Sequence, residues 1–284
     1  MNFICSLLNI LQLLAFVLVN IINDEQIVTF VSGAFHDRKI FVSQFGNIAQ
    51  IKSVSKLQQV RNQIRQQALK SLYELPDAIK TELVHQANKN ETYPVKTAYE
   101  FMEFFRNGNR AHYEAKIHSH QGRIRQLVIG NLLVQETEKN QSMKYVDEIV
   151  NGIWMLMEES TWSYPAHLYL QGTQDHLPNP THLSIDLNAG EVAKLLGWVK
   201  LLMEDKFDSV STVINKRIDY ELRNRIFEGY LKLNFGWEGF TNTHSVNNWN
   251  IWVNGNILKS AVFTLNDLDL FDKVFNKTLY SGRQ

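Results

Sequence analysis

The sequence is poor in cysteine and proline and has no excess of either charge. It holds one cysteine, Cys5, five prolines, and 29 basic against 29 acidic side chains in 284 residues. A lone cysteine excludes a disulfide within the chain and a structural zinc site built on several thiolates. The charge balance argues against a protein held to nucleic acid or anionic membrane by bulk attraction, and leaves only a local basic groove open. No G-x-x-x-x-G-K-[ST] run and no G-x-G-x-x-G turn occurs, so nucleotide phosphate binding has no support. No G-x-S-x-G elbow occurs, which counts against an α/β-hydrolase. His118 and His120, the closest pair of histidines, fall on different faces of a helix and do not make a helical metal site.

What is present is a globular composition, with 44% apolar and 20% charged residues, which rules out a disordered chain. Phe3 to Ile22 is an apolar run broken by a few polar residues and followed by Asn23, Asp24 and Glu25. It reads as a secretion signal or N-terminal anchor, with a buried helix or strand as the alternative. On the first reading the protein is secreted or periplasmic and the mature chain begins near Asn23. Residues 23–56 form a short lead-in with strand-like patterning around Ile27, Val28, Phe30, Val31, Ile40, Phe41 and Val42. From Leu57 the period turns helical: Leu57, Val60, Ile64, Ala68 and Leu72 share one face. Pro76 opens another helix. Further helices are predicted near 94–107, 109–120, 122–138, 143–158, 187–204, 207–228, 247–264 and 266–279, with long loops at 171–186 and 234–246. The expected fold is mainly α, an α/α bundle or an incomplete (α/α) toroid of helix pairs over 57–284.

Three runs concentrate polar and aromatic residues. In Arg106–Glu114, Gly108 supports a turn and Asn109 caps the next helix, or else Arg110 or His112 faces a groove and meets an acidic ligand. In Glu158–His167, Trp162 and Tyr164 suit stacking on a sugar ring and His167 suits proton transfer; the alternative is an aromatic lid on the core. In Asn242–Asn256, five Asn and two Trp stand between 247 and 256, and Asn247, Asn250 and Asn254 share a helix face. Carboxamides are poor helix formers, so this face meets either a polar cleft or a saturated buried network.

These runs, read as "FRNGNRAHYEAK", "GIWMLMEESTWSYPAHLYL", "IDLNAGEVAKLLGWVKLLM", "RIDYELRNRIFEGYL" and "NNWNIWVNGNIL", resemble the heparinase II/III-like family of polysaccharide lyases from about Tyr99 onward. The resemblance implies an α/α toroid, a β-rich sandwich domain after it in full-length members, and β-elimination on uronic-acid-containing glycans. Such a reaction removes the weakly acidic C5 proton beside an ionised carboxylate. The site must hold charge building on that carboxylate while a base and an acid move protons. By resemblance, Asn248 contacts the carboxylate with Asn247 beside it. His167, or His244, handles the proton, and Arg110 adds positive field. Asn109, Glu159, Trp162, Tyr164, Trp249, Asn250 and Trp252 complete the candidate substrate contacts. The family's Gly-rich, Tyr-bearing run after the NNW helix has no counterpart before Gln284, so the chain is expected to be truncated and inactive alone. No cofactor is evident in these residues; a divalent metal would belong to the missing part. The expected partner is an acidic polysaccharide or oligosaccharide, with no nucleic acid and no membrane beyond the N-terminal anchor. Two alternatives stand beside this one. A toroidal glycoside hydrolase needs two carboxylates roughly 5–10 Å apart, to be found among Glu158, Glu159, Asp186 and Glu191. A non-catalytic carbohydrate binder needs only platforms such as Trp162, Trp249 and Trp252.

Overall fold

A computed structural model describes residues 51–134, 139–240 and 247–282. The expected signal or anchor segment, nearly all of the strand-like lead-in, and His244 lie outside the described residues. The described chain is mainly helical, and no strand occurs among its residues. None of its helices is long and apolar enough to cross a membrane. Its described residues divide into two compact units, those of 51–91 with 122–149, and those of 92–121 with 150–282.

In the first unit, α1 (Val54–Tyr73) starts where Ser53 Oγ accepts the Lys56 N–H at 3.1 Å. The lead-in boundary expected at residue 56 therefore falls inside this helix. α2 (Asp77–Asn88) follows Pro76, whose missing N–H costs nothing at a helix start. Leu57, Leu72, Leu83 and Ala87 are buried, with Ile124, Leu127 and Val128 from α4 (Ala111–Leu133). The Tyr145 hydroxyl, on α5 (Lys139–Met157), donates to Asn88 Oδ1 at 2.7 Å. Separate helices were expected at 109–120 and 122–138, yet α4 runs through as one helix; the single Gly122 inside it costs only about 1 kcal/mol.

In the second unit, α3 (Ala98–Asn107) opens with a capping box. Thr97 Oγ1 accepts the Glu100 N–H, and the Glu100 carboxylate accepts the Thr97 N–H. It closes at Gly108, whose φ of 78° is left-handed and favours glycine. Asn109 Oδ1 then accepts the His112 N–H at 3.3 Å at the head of α4. A 3₁₀ turn, Pro165–Gln171, leads through a loop to α6 (Leu187–Val210), which is buried along almost its whole length. Ser211 ends α6 and caps α7 (Thr212–Leu222). A π-helical turn, Arg223–Phe227, and α8 (Glu228–Lys232) continue from it. After a short 3₁₀ turn, Gly236–Glu238, come α9 (Trp249–Thr264) and α10 (Leu268–Ser281).

α6 and α9 run parallel. A Cβ on Gly190 would meet Val253 and Asn256, and one on Gly197 would meet Ser260 and Phe263, so residue numbers rise together. At Gly197 that Cβ would lie 3.2 Å from the Ser260 Cα, closer than a side chain tolerates without movement. Small residues thus let the two backbones approach. α7 returns antiparallel to α6, with Lys200 bonded to Asp219 and Asn215 bonded to the Glu204 carbonyl. α10 returns along α9, bringing Ser281 back to Asn250.

Candidate functional site

The second unit gathers His167, Tyr164 and Trp249 around Asp186. This carboxylate is fully buried at the N-cap of α6. Its Oδ1 accepts the Ala189 N–H at 2.9 Å. Its Oδ2 accepts the Tyr164 backbone N–H at 2.9 Å and meets His167 Nδ1 at 2.7 Å. An ionised carboxylate only accepts, so Nδ1 carries the hydrogen and Nε2 keeps the lone pair in the neutral ring. No described residue pairs with Nε2. The imidazole lies against Trp249, with ring centroids 4.4 Å apart and planes tilted by 53°. Sequence reasoning named His167 but missed Asp186 as its partner. The N-cap role was visible in "IDLNAGE", whereas the bond across 19 residues depends on tertiary packing.

What holds Asp186 in place is also local. The Trp237 indole N–H donates to the Ile185 carbonyl at 3.0 Å. Asn188, the second residue of α6, donates to the Trp162 carbonyl at 2.6 Å and accepts from Gln121 at 2.8 Å. The start of α6 is therefore pinned on both sides of the dyad.

Tyr164 is half-buried beside this pair, and its hydroxyl shares a 2.9 Å hydrogen bond with His118 Nε2. Burial, reinforced by the charges of Asp186, Glu114 and Glu191 and opposed by Arg110, pushes its pKa well above the ordinary tyrosine value. The phenol therefore stays protonated and acts as a hydrogen-bond donor or acid, not as a phenolate base. Arg110 is exposed and donates from Nε to Glu114 at 2.7 Å.

At the head of α9, Asn247 Oδ1 accepts the Trp249 N–H at 2.9 Å. Its side chain is thus engaged in starting the helix. Asn248 is exposed and makes no side-chain capping bond. Trp252 is 48% exposed.

Other candidates are used by the protein itself. Trp162 is 3% exposed; its indole N–H donates to the Leu156 carbonyl and the Arg225 guanidinium covers its ring. It is a core residue, not an accessible sugar platform. Arg225, supplied by the π turn, also donates to the Met157 and Glu159 carbonyls past the end of α5. The Glu159 side chain is paired with Lys96, and its burial raises its pKa. Asn109 is engaged as a helix cap and donates to Glu103 at 3.2 Å. Asn250 is 1% exposed. It donates to the Glu238 carbonyl and to Ser281, and accepts from Asn254. Asn254 accepts from the Tyr230 hydroxyl at 2.6 Å. The carboxamide face at 250 and 254 is therefore the saturated buried network, and Asn250 has no donor left for a sugar.

The four acids weighed for hydrolysis are likewise engaged. Glu158 meets Arg217, Glu159 meets Lys96, Asp186 meets His167, and Glu191 meets Lys194 and Asn256. Among the described residues no group of three or more His, Cys, Asp or Glu side chains comes together to hold a metal ion. No model of a known protein family matches the chain, and no curated protein matches it.

Proposed function

We propose that this protein is a lyase-type polysaccharide-acting protein, exported and directed at uronic-acid-containing glycans, whose chemistry is β-elimination at a uronate. The observation that carries the reading is the Asp186–His167 dyad, with Nε2 unpaired among the described residues, the ring against Trp249 and a protonated Tyr164 alongside. In this reading His167 Nε2 takes the C5 proton, and the Asp186 carboxylate stabilises the imidazolium that results. The Tyr164 phenol supports the departing glycosidic oxygen. The exposed Asn248 amide and the Arg110 guanidinium hold charge on the substrate carboxylate. Support also comes from helix polarity. His167 touches the starts of α6 and α9, where backbone N–H groups favour an anion. The parallel α6 and α9, each with a returning partner, suit successive inner helices of an α/α toroid. Two-carboxylate hydrolysis is less favoured, because every acid weighed for it is already paired.

A second reading, binding without turnover, draws on the exposed Trp252 beside Asn248. The chain incubated with alginate and heparan sulfate oligosaccharides tests both. Calorimetry reads binding, and ultraviolet absorbance reads the unsaturated sugar that elimination leaves. In place of the inactivity expected from the sequence, the lyase reading now expects uronide binding and absorbance growth, with turnover lowered on the order of a hundredfold or more by Asn248→Ala or His167→Ala at unchanged circular dichroism. Binding with no absorbance growth selects the second reading. A folded chain that neither binds nor cleaves a uronide overturns both.

A further inference from the structure

His118 has no role in the chemistry above, yet it bonds the residue cast there as the acid. His118 and His120 fall on different faces of α4: His120 is fully buried and His118 is exposed. His118 Nε2 lies 2.9 Å from the Tyr164 hydroxyl. The two rings meet edge-on, with centroids 6.0 Å apart and planes at 83°. Tyr164 meets His167 edge-on as well, at 5.5 Å and 75°. One phenol is thus shared by two imidazoles. It is also held at both ends. The Tyr164 backbone N–H donates to Asp186, Pro165 keeps the Tyr164 backbone extended, and the hydroxyl is tied to His118. The bond to His118 has two forms, phenol to imidazole or imidazole to phenol. In the first, the phenol proton is tied up on His118. In the second, the hydrogen lies on Nε2 and the phenol proton is left for another acceptor. The charges around the phenol favour the second. Asp186, Glu114 and Glu191 act on it with negative charge, and Arg110 opposes them. A negative field favours a hydrogen on the nitrogen that faces it. His118 Nδ1 has no hydrogen-bond partner among the described residues, and the side chain is open to water.

We propose that His118 resupplies Tyr164 with the proton that the phenol gives to the departing glycosidic oxygen. The phenol O–H bond breaks as that oxygen gains its hydrogen. The phenolate then takes the Nε2 hydrogen of His118 while Nδ1 takes one from water, so one proton enters the ring as one leaves. The C5 proton, which His167 releases to water, balances the one taken up. Exchange with water returns His118 to its first tautomer. His118 is a positioning residue, since it acts on the glycan only through Tyr164. This inference rests on the lyase reading and extends it to the regeneration of its acid.

The test uses the whole chain with alginate and heparan sulfate oligosaccharides and reads the growth of ultraviolet absorbance. His118→Ala is expected to lower turnover on the order of tenfold or more at unchanged circular dichroism, and added imidazole is expected to restore much of it. A merely structural contact would not respond to imidazole. His118→Gln offers the phenol an N–H but relays no proton near neutral pH. It is expected to be as slow as His118→Ala and insensitive to imidazole. Where the wild type turns over, either variant at the wild-type rate overturns the relay and leaves the lyase reading standing. So does a slow His118→Ala that imidazole does not restore. A folded wild-type chain with no absorbance growth overturns the lyase reading, and the relay with it.

Discussion

Asn248 and Asn250 stand two residues apart at the start of one helix and have opposite fates. Asn250 is sealed under Ser281 and the Glu238 carbonyl, with donors and acceptor all used. Asn248 is exposed and its carboxamide makes no capping bond. The same contrast separates two histidines. His120 is fully buried, with Nε2 bonded to the Gly152 carbonyl at 2.8 Å and Nδ1 to Lys96 at 2.9 Å. His167 has one nitrogen fixed by Asp186 and the other without a partner among the described residues. A saturated polar group specifies a fold, and one with a remaining valence is available for chemistry. Residue type alone does not separate the two cases.

The strongest way to break this comparison is to unseal the network. Asn254→Leu leaves the Tyr230 hydroxyl only a 3.5 Å bond to Thr278 Oγ1 and removes the donor to Asn250 and Ser281. Each stranded buried group costs about 1–3 kcal/mol, so a loss on the order of 3 kcal/mol is expected. Urea denaturation reads it as a lower midpoint at unchanged slope. A loss under about 1 kcal/mol would mean the network is not holding α9 to α10.

The histidine half of the comparison is sharpened by pH. Burial, with Lys96 adding to it and the Gly152 carbonyl opposing it, pushes the His120 pKa down to about 4 from an ordinary 6.5. A depressed folded-state value means the unfolded chain binds the proton more readily. The contribution of neutral His120 is therefore complete above pH 6.5 and is lost as pH falls from there toward 4. Its size is on the order of 3 kcal/mol. Glu159, raised by burial, has the opposite sign: its preference for the neutral form favours folding at low pH and fades as pH rises through its folded value. A His120→Gln variant isolates the histidine. Its stability deficit against wild type should shrink between pH 7 and 4. Deficits that stay parallel across that range would contradict the assignment.

Much of the helical pattern was legible in the sequence, because each helix buries an apolar stripe and the period of that stripe survives in the residues. The errors fell where a local signal met a tertiary one. The two helices expected at 109–120 and 122–138 are the single helix α4. The end expected for α6 at 204 moved to Val210, where Ser211 supplies the caps. For the site, the sequence drew attention to His167, Tyr164, Asn248 and Trp249, and the structure brings His167 next to both Tyr164 and Trp249. It did not reveal that Trp162 serves the core or that Asn250 is saturated. Both facts depend on partners, Arg225 and Ser281, that are 63 and 31 residues distant in the chain. Asp186 was read only as one acid among four, since nothing in its neighbours announces the histidine.

The smallest expected effect lies at the open end of α9 and separates two adjacent asparagines. Asn247 gives its carboxamide oxygen to the Trp249 N–H, so Asn247→Ala removes a helix cap and should cost about 1 kcal/mol. Asn248 makes no such bond and is exposed, so Asn248→Ala should change stability by less than about 0.5 kcal/mol. Thermal and urea denaturation of the two variants, side by side, read the difference. An Asn248 variant as destabilised as the Asn247 variant would mean that its carboxamide supports the fold, and the contrast with Asn250 would collapse. A neutral Asn248 variant keeps that carboxamide free for a ligand. Any loss of uronide binding it shows then cannot be assigned to unfolding.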